Sequence, residues 1–134
     1  MDLFKAFATN LDQEAQGVTV PYGDATFIVA RRGNPAHKAK MNHLMKQHQY
    51  TLDRKGAEAD RCAEEIVAQA AAAHILLGWT GLTDAEGKEL KYSKEAAYTL
   101  LTNPQLKDFK EFIYGASDDA ARYKAFKEEE DVKN

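Results

Sequence analysis

The sequence predicts a mainly α fold with a small N-terminal β-hairpin, an α+β arrangement in a single compact helical domain. Three observations lead there. Apolar residues recur at three- and four-residue spacing through most of the chain. One stretch, GVTVPYGDATFIVARRGN, turns instead to β-branched and aromatic residues around a Pro-Tyr-Gly-Asp turn. The pair Asn-Pro occurs at 34–35 and again at 103–104, each time where a helical pattern begins. With 134 residues, no internal repeat and no interdomain linker, the chain can bury one core of its own.

The elements follow in order. Leu3, Phe4, Phe7 and Leu11 share helical spacing, and so short a helix needs to lay Phe4 and Phe7 on something to persist. The hairpin is expected over 17–32, with strands near 17–21 and 25–32. Its second strand is apolar on both faces, Phe27 and Val29 on one and Ile28 and Ala30 on the other. Two strands are not stable alone, so one face must meet helices and the other a further strand, helix or subunit, or stay exposed. Gly33 turns the chain, Asn34 caps a helix over 35–52, and Pro35 falls where a missing N–H costs nothing. A longer helix is expected over 57–77, with Cys62, Ile66, Ala70, Ala73 and Leu77 on one stripe and Gly78 closing it. Ser93 caps a helix over 93–103, and Asn103-Pro104 starts another over 104–115. A last helix is expected over 118–128 with Tyr123 and Phe126 inward, followed by a polar C-terminal tail.

Composition narrows the function. The chain is 44% hydrophobic and 29% charged, with no apolar run long enough to span a bilayer. The opening MDLFKAFATN is too mixed for a secretory signal. The single cysteine, Cys62, rules out an internal disulfide and fits a reducing cytosol. His43 and His48 are five apart, not the four that metal pairs on a helix favour, and no Ser-His-Asp set, paired-carboxylate set or phosphate-cradling glycine loop is legible. The DAEGKE loop lacks the alternating oxygen ligands of a calcium loop. The sequence therefore predicts no enzyme, no cofactor and no metal.

Charge is unevenly distributed. Residues 31–55 hold Arg31, Arg32, Lys38, Lys40, Lys46, Arg54 and Lys55 against one acid, Asp53, which is 7 − 1 = +6. In a chain of net charge −3 the remainder carries −9. Such a segment reads as a solvated helix face, as a dock for an acidic partner, or as one half of a self-association between basic and acidic faces. Nucleic acid is the weakest reading of a net acidic chain with no base-reading motif, and no membrane contact is predicted.

Two blocks matter together. The first is GVTVPYGDATFIVARRGNPAH; the second is GWTGLTDAEGKELKYSKEAAYTLLTNP. A hairpin closing on Ala-Arg-x-Gly-Asn-Pro, a long helix ending Gly-Trp-x-Gly, then Asp-x-x-Gly-x-x-Leu-x-Tyr-Ser-x-Glu into a helix: this order, over roughly 17–115, is similar to the tail assembly chaperones of long-tailed, siphovirus-type bacteriophages and prophages. The resemblance implies a factor of the bacterial host cytoplasm that binds the tape measure protein, helps recruit tail tube protein, and is absent from the finished virion. It further implies, for many such proteins, a longer frameshifted form, of which EEEDVKN would end the shorter one. On this view Gly78, Trp79, Gly81, Asp84, Gly87 and Ser93 form a structural corner that sets the angle between two helical halves. Arg31, Arg32, Lys38 and Lys40, with Ile28 or Val29, are the candidate partner-binding residues, and self-association along a long target is expected. The alternatives are a minor tail or head–tail completion protein that stays in the particle, and a small DNA-binding regulator.

Overall fold

In the computed structural model, which describes residues 1–127, the hairpin is the start of a larger sheet. Strand β1 (Val18–Tyr22) pairs antiparallel with β2 (Ala25–Val29), and β2 pairs antiparallel with β3 (Leu76–Thr80), giving the order β1-β2-β3. Around it lie α1 (Leu3–Phe7), α2 (Leu11–Gln16), α3 (Pro35–Gln47), α4 (Gln49–Asp53), α5 (Ala57–His74), α6 (Lys94–Thr102) and α7 (Lys107–Asp118). The fold is α+β in one domain, as expected, but the sheet has a third strand where the sequence predicts the end of a helix and the corner that follows it.

That strand corrects the expected helix over 57–77. Helix α5 ends at His74, and Gly78 is not its closing residue but lies in β3 opposite Ile28. Helical periodicity through the alanine run gives no stop signal before Gly78. The stop is tertiary: β2 has an open edge, and its hydrogen bonds go to β3. A Cβ at Gly78 would meet Ile28 Cγ1 at 3.4 Å, an ordinary contact, so the strand does not require glycine there. The register shifts at Ile28/Val29, a bulge that brings Leu76 opposite Val29 and Trp79 opposite Phe27 on the buried face.

Alternation along the strands sets the core. Val20, Phe27, Val29, Leu76 and Trp79 face Ala71, Ala72, Ile75, Ala97, Leu101, Ile113 and Ala116 of the helical layer. Phe27 lies 5.5 Å from Phe109 and 5.9 Å from Phe112 of α7, centroid to centroid. The opposite face carries Thr26 and Thr80, whose hydroxyls share a 2.6 Å hydrogen bond, and Ile28 between them and Gly17.

Trp79 is 7% exposed, its ring set edge-on to Tyr92 at 5.0 Å, and its indole N–H donates to Leu90 O at 2.8 Å. The Tyr92 hydroxyl donates to Leu76 O at 2.8 Å. Gly81, at φ +82°, passes so close to the hairpin turn that a Cβ would lie 2.6 Å from Asp24 O. The Asp84 carboxylate accepts from the N–H groups of Glu86 and Lys88, both at 2.9 Å, and Gly87 completes the turn at φ +84°. Ser93 Oγ accepts from Ala96 N at 2.9 Å and starts α6. The expected corner between two helical halves is thus a strand running into a tight turn.

Three other expectations change. The helix over 35–52 is broken at His48 (φ −111°, ψ 17°), which turns α4 onto α5. The start is two short helices, α1 and α2, and Phe4 and Phe7 remain exposed instead of packing down. After α7 the chain makes only a 3₁₀ turn at Ala120–Tyr123, not a helix over 118–128. Tyr123 explains this. It is fully buried, and its hydroxyl donates to Val29 O at 2.9 Å, so a straight helix would pull it out of the sheet's end. The chain then runs beside the N-terminus, Lys124 bridging to Thr9, while Phe126 stays exposed. The expected polar tail lies outside the described residues.

Asn34 joins the parts. Its Oδ1 accepts from His37 N at 3.0 Å and caps α3, while its Nδ2 donates to Arg31 O at 2.8 Å and His74 O at 3.0 Å. Asn34→Ala removes a cap and strands the His74 carbonyl, while Arg31 O keeps its bond from the residue 34 N–H at 3.1 Å, and is expected to cost about 2–4 kcal/mol in urea unfolding. Asn34→Asp keeps the cap acceptor but loses both donors, so it should not restore stability. Trp79→Ala should destabilise by about 3–5 kcal/mol by the same measurement, and the wild-type tryptophan emission should be blue-shifted.

Candidate interaction surfaces

The basic segment divides in two. Arg31 and Arg32 are engaged within the chain. Arg31 Nη1 donates to Thr9 Oγ1 at 3.1 Å and approaches Glu14 Oε2 at 3.5 Å, with its guanidinium 6.0 Å from the Tyr123 ring centroid. Arg32 Nε meets Asp118 Oδ1 at 2.9 Å, and its guanidinium lies 4.6 Å over the Tyr114 ring. These contacts tie the N-terminal segment and α7 to the end of the hairpin. Lys38 stands exposed on α3, and Lys40 is half-buried. Of the two apolar candidates, Val29 is wholly buried and Ile28 half-buried on the outer sheet face. The structure therefore does not gather Arg31, Arg32, Lys38, Lys40 and an open hairpin face into one patch.

The histidines follow from the same node. His37 is buried, and its Nδ1 accepts from Gly33 N at 3.0 Å, a bond that the protonated ring cannot make. Burial first, then Arg32 and His74, hold its pKa below the ordinary 6.5. His74, at the C-terminus of α5, is lowered by burial and then by Lys94 and Lys40. Lys94 itself donates to Ala73 O at 2.7 Å, satisfying an end carbonyl of α5. At the sheet end, burial pushes the Tyr123 phenol up to about 12. Cys62 is half-buried on α5. Among the described residues no three His, Cys, Asp or Glu side chains converge on a point that could hold a metal ion. No helix among them is long and apolar enough to cross a membrane.

A groove of about 630 Å³ runs between α5, α6 and α7. Ala63, Val67 and Ala68 of α5, Leu101 of α6 and Pro104 form its apolar side, and Tyr98 and Tyr114 stand at it. Arg61, Glu64, Glu65, Lys107 and Lys110 supply charge of both signs along its rim. Sequence reasoning missed it. The available signal was Ala63 and Val67, small apolar residues four apart on the side of α5 that otherwise carries acids.

A second apolar surface lies at the N-terminus. Leu3, Phe4, Phe7 and Leu11 are 60–72% exposed, and α1 buries no residue at all. Asp2 caps α1, its Oδ1 accepting from Lys5 N at 3.1 Å.

The family model described as YdaY prophage protein matches residues 32–134. The chain belongs to that family. It is a phage or prophage protein, and the match begins at the turn that leads into α3. No curated protein and no solved structure matches the chain.

In this YdaY-family chain the lowered histidine pKa values set a pH dependence. A group whose folded pKa lies below its unfolded value binds fewer protons when folded, so its stabilisation is full above the unfolded value of 6.5 and is lost as pH falls through the folded one. Stability should therefore drop between about pH 7 and pH 5. His37→Asn offers Gly33 N an uncharged acceptor and should flatten part of that drop in denaturant midpoints taken across the range.

Proposed function

We propose that this prophage protein is a tail assembly chaperone that works in the host cytoplasm, binds the tape measure protein, helps recruit tail tube subunits, and is not retained in the mature virion. Two findings support the reading: membership of a prophage family, and the ordered Ala-Arg-x-Gly-Asn-Pro and Gly-Trp-x-Gly…Tyr-Ser blocks. The groove between α5, α6 and α7 is the observation that carries its mechanism. A tape measure protein presents long amphipathic helices, whose apolar stripe must be covered before tube subunits enclose it. A groove with an alanine and valine side and a mixed-charge rim suits that task. Apolar contacts at Val67, with Ala63 and Pro104 beside it, supply affinity, and rim charges set register and on-rate. Lys38 and Lys40 of α3 add longer-range attraction for an acidic target.

Co-expression with the tape measure protein followed by pull-down tests this. Val67→Glu puts a charge in the trough at a site already 37% exposed, so the fold should survive while capture falls about tenfold or more. Reversing Lys38 and Lys40 to Glu should slow association and flatten its salt dependence. Undiminished capture by Val67→Glu would place binding elsewhere. Recovery of the protein in purified virions would favour the structural tail or head–tail completion reading.

A further inference from the structure

We infer that the exposed N-terminal face, Leu3, Phe4, Phe7 and Leu11 together with Phe126, is a two-fold interface between two copies of this chain. The face is built from both ends of the described chain. Ala125 N donates to Ala8 O at 2.9 Å and Thr9 bridges antiparallel to Lys124, a register that sets Phe126 alongside Phe7. Asn10 N donates to Tyr123 O at 2.7 Å, so the platform under the face is fixed to the buried Tyr123. The apolar residues on it nevertheless point to water.

Three observations select a second copy as the occupant. The first is area. The four N-terminal residues, with Met1 at 97% and Phe126 at 54%, leave most of six large side chains uncovered. At roughly 150–250 Å² per large side chain that is on the order of 800 Å², one partner's share of a standard specific interface and above what a monomer ordinarily exposes in one patch. The second is shape. The face projects from two short helices and the segment at Phe126 and lines no cavity, so it suits a like surface laid against it, whereas the groove of α5, α6 and α7 is the place that could receive a foreign helix. The third is charge. Asp2 and Lys5 flank Leu3 and Phe4 on α1. When two α1 helices lie antiparallel about an axis near Phe4, Lys5 of each comes opposite the partner's Asp2, so the surface is complementary to itself, as a two-fold interface requires. A five-residue helix with no buried residue is marginal in water, and the second copy supplies the cover that α1 lacks among the described residues.

Sedimentation velocity on the full chain alone, over roughly 1–100 μM, tests the interface. The wild type should sediment as a dimer. Phe4→Asp with Phe7→Asp should sediment as a monomer, with its dissociation constant raised about a hundredfold or more, the circular dichroism of the sheet and the longer helices retained, and a Tm that no longer rises with protein concentration. Asp2→Lys should weaken the dimer, and Asp2→Lys with Lys5→Asp should recover it, which a merely structural role for α1 would not produce. The groove variant Val67→Glu should dimerise like the wild type. A monomeric wild type overturns the inference, as does a dimer untouched by the Phe4 and Phe7 substitutions. So does a monomer that uses this face to bind phosphatidylcholine–phosphatidylglycerol vesicles or the tape measure protein.

Discussion

The carboxamide of Asn34 makes three hydrogen bonds from a position that water scarcely reaches, and it makes them to three different parts of the chain. The acceptor end begins α3 through His37 N; the donor end holds Arg31 O, at the exit of the hairpin, and His74 O, at the end of α5. One bond further on, Ala30 N donates to Ile75 O, the residue that leads into β3. The side chain therefore fixes where the hairpin stops, where α3 starts and where α5 gives way to strand. Asn suits the position because it offers a fork of donor and acceptor on a short stem; Asp, Ser and Thr cap equally well but cannot hold two carbonyls at once.

What was legible in the sequence was local chemistry. Asn34-Pro35, Ser93 and Asn103-Pro104 each start a helical segment because a side-chain oxygen two or three residues ahead of an orphan N–H satisfies it without help from the rest of the fold. The Pro-Tyr-Gly-Asp turn was legible for a similar reason. β3 was not. Ala70 to Leu77 reads as continuous helix, and only the unpaired edge of β2, which lies far back in the sequence (Ile28 pairs with Gly78), converts Leu76–Thr80 to strand. Tyr123 was legible as an inward residue but not as a chain terminator, since its hydroxyl partner, Val29 O, lies across the whole sequence. Of the candidate surfaces, the charge of residues 31–55 could be counted, but not the inward turn of Arg31 and Arg32 onto Tyr123 and Tyr114. A guanidinium with an aromatic face and a carboxylate in reach is as much a clamp as a handle, and sequence distance hides both partners.

Those two arginines connect the surfaces mechanically. Arg31 holds α2 through Glu14 and Thr9, and Arg32 holds the end of α7 through Asp118. The N-terminal apolar face and the helical groove thus both brace against the Arg31–Asn34 turn, one on each side of the sheet end. A dimer built on the first would leave the second open on each copy, because the exposed face of α1 and the trough beside α5 share no residue. Two troughs in a fixed relation would engage two stretches of one amphipathic target, and the second engagement would be intramolecular, raising avidity without any new contact.

Small residues give α5 its two roles. Near its C-terminal end Ala70, Ala71 and Ala72 are buried in turn around the helix, and their missing bulk lets neighbouring backbones come close. On the side turned to α6 and α7, Ala63, Val67 and Ala68 face the longer Tyr98, Lys107 and Tyr114, and among the described residues no side chain fills the gap. The same economy of volume that closes the core at one place opens a trough at another. A void lined by apolar atoms forfeits dispersion contacts on its empty side, so the protein alone gains nothing from it. A partner's apolar side chain seated there would supply those contacts, and the proposed capture of an amphipathic helix rests on that gain.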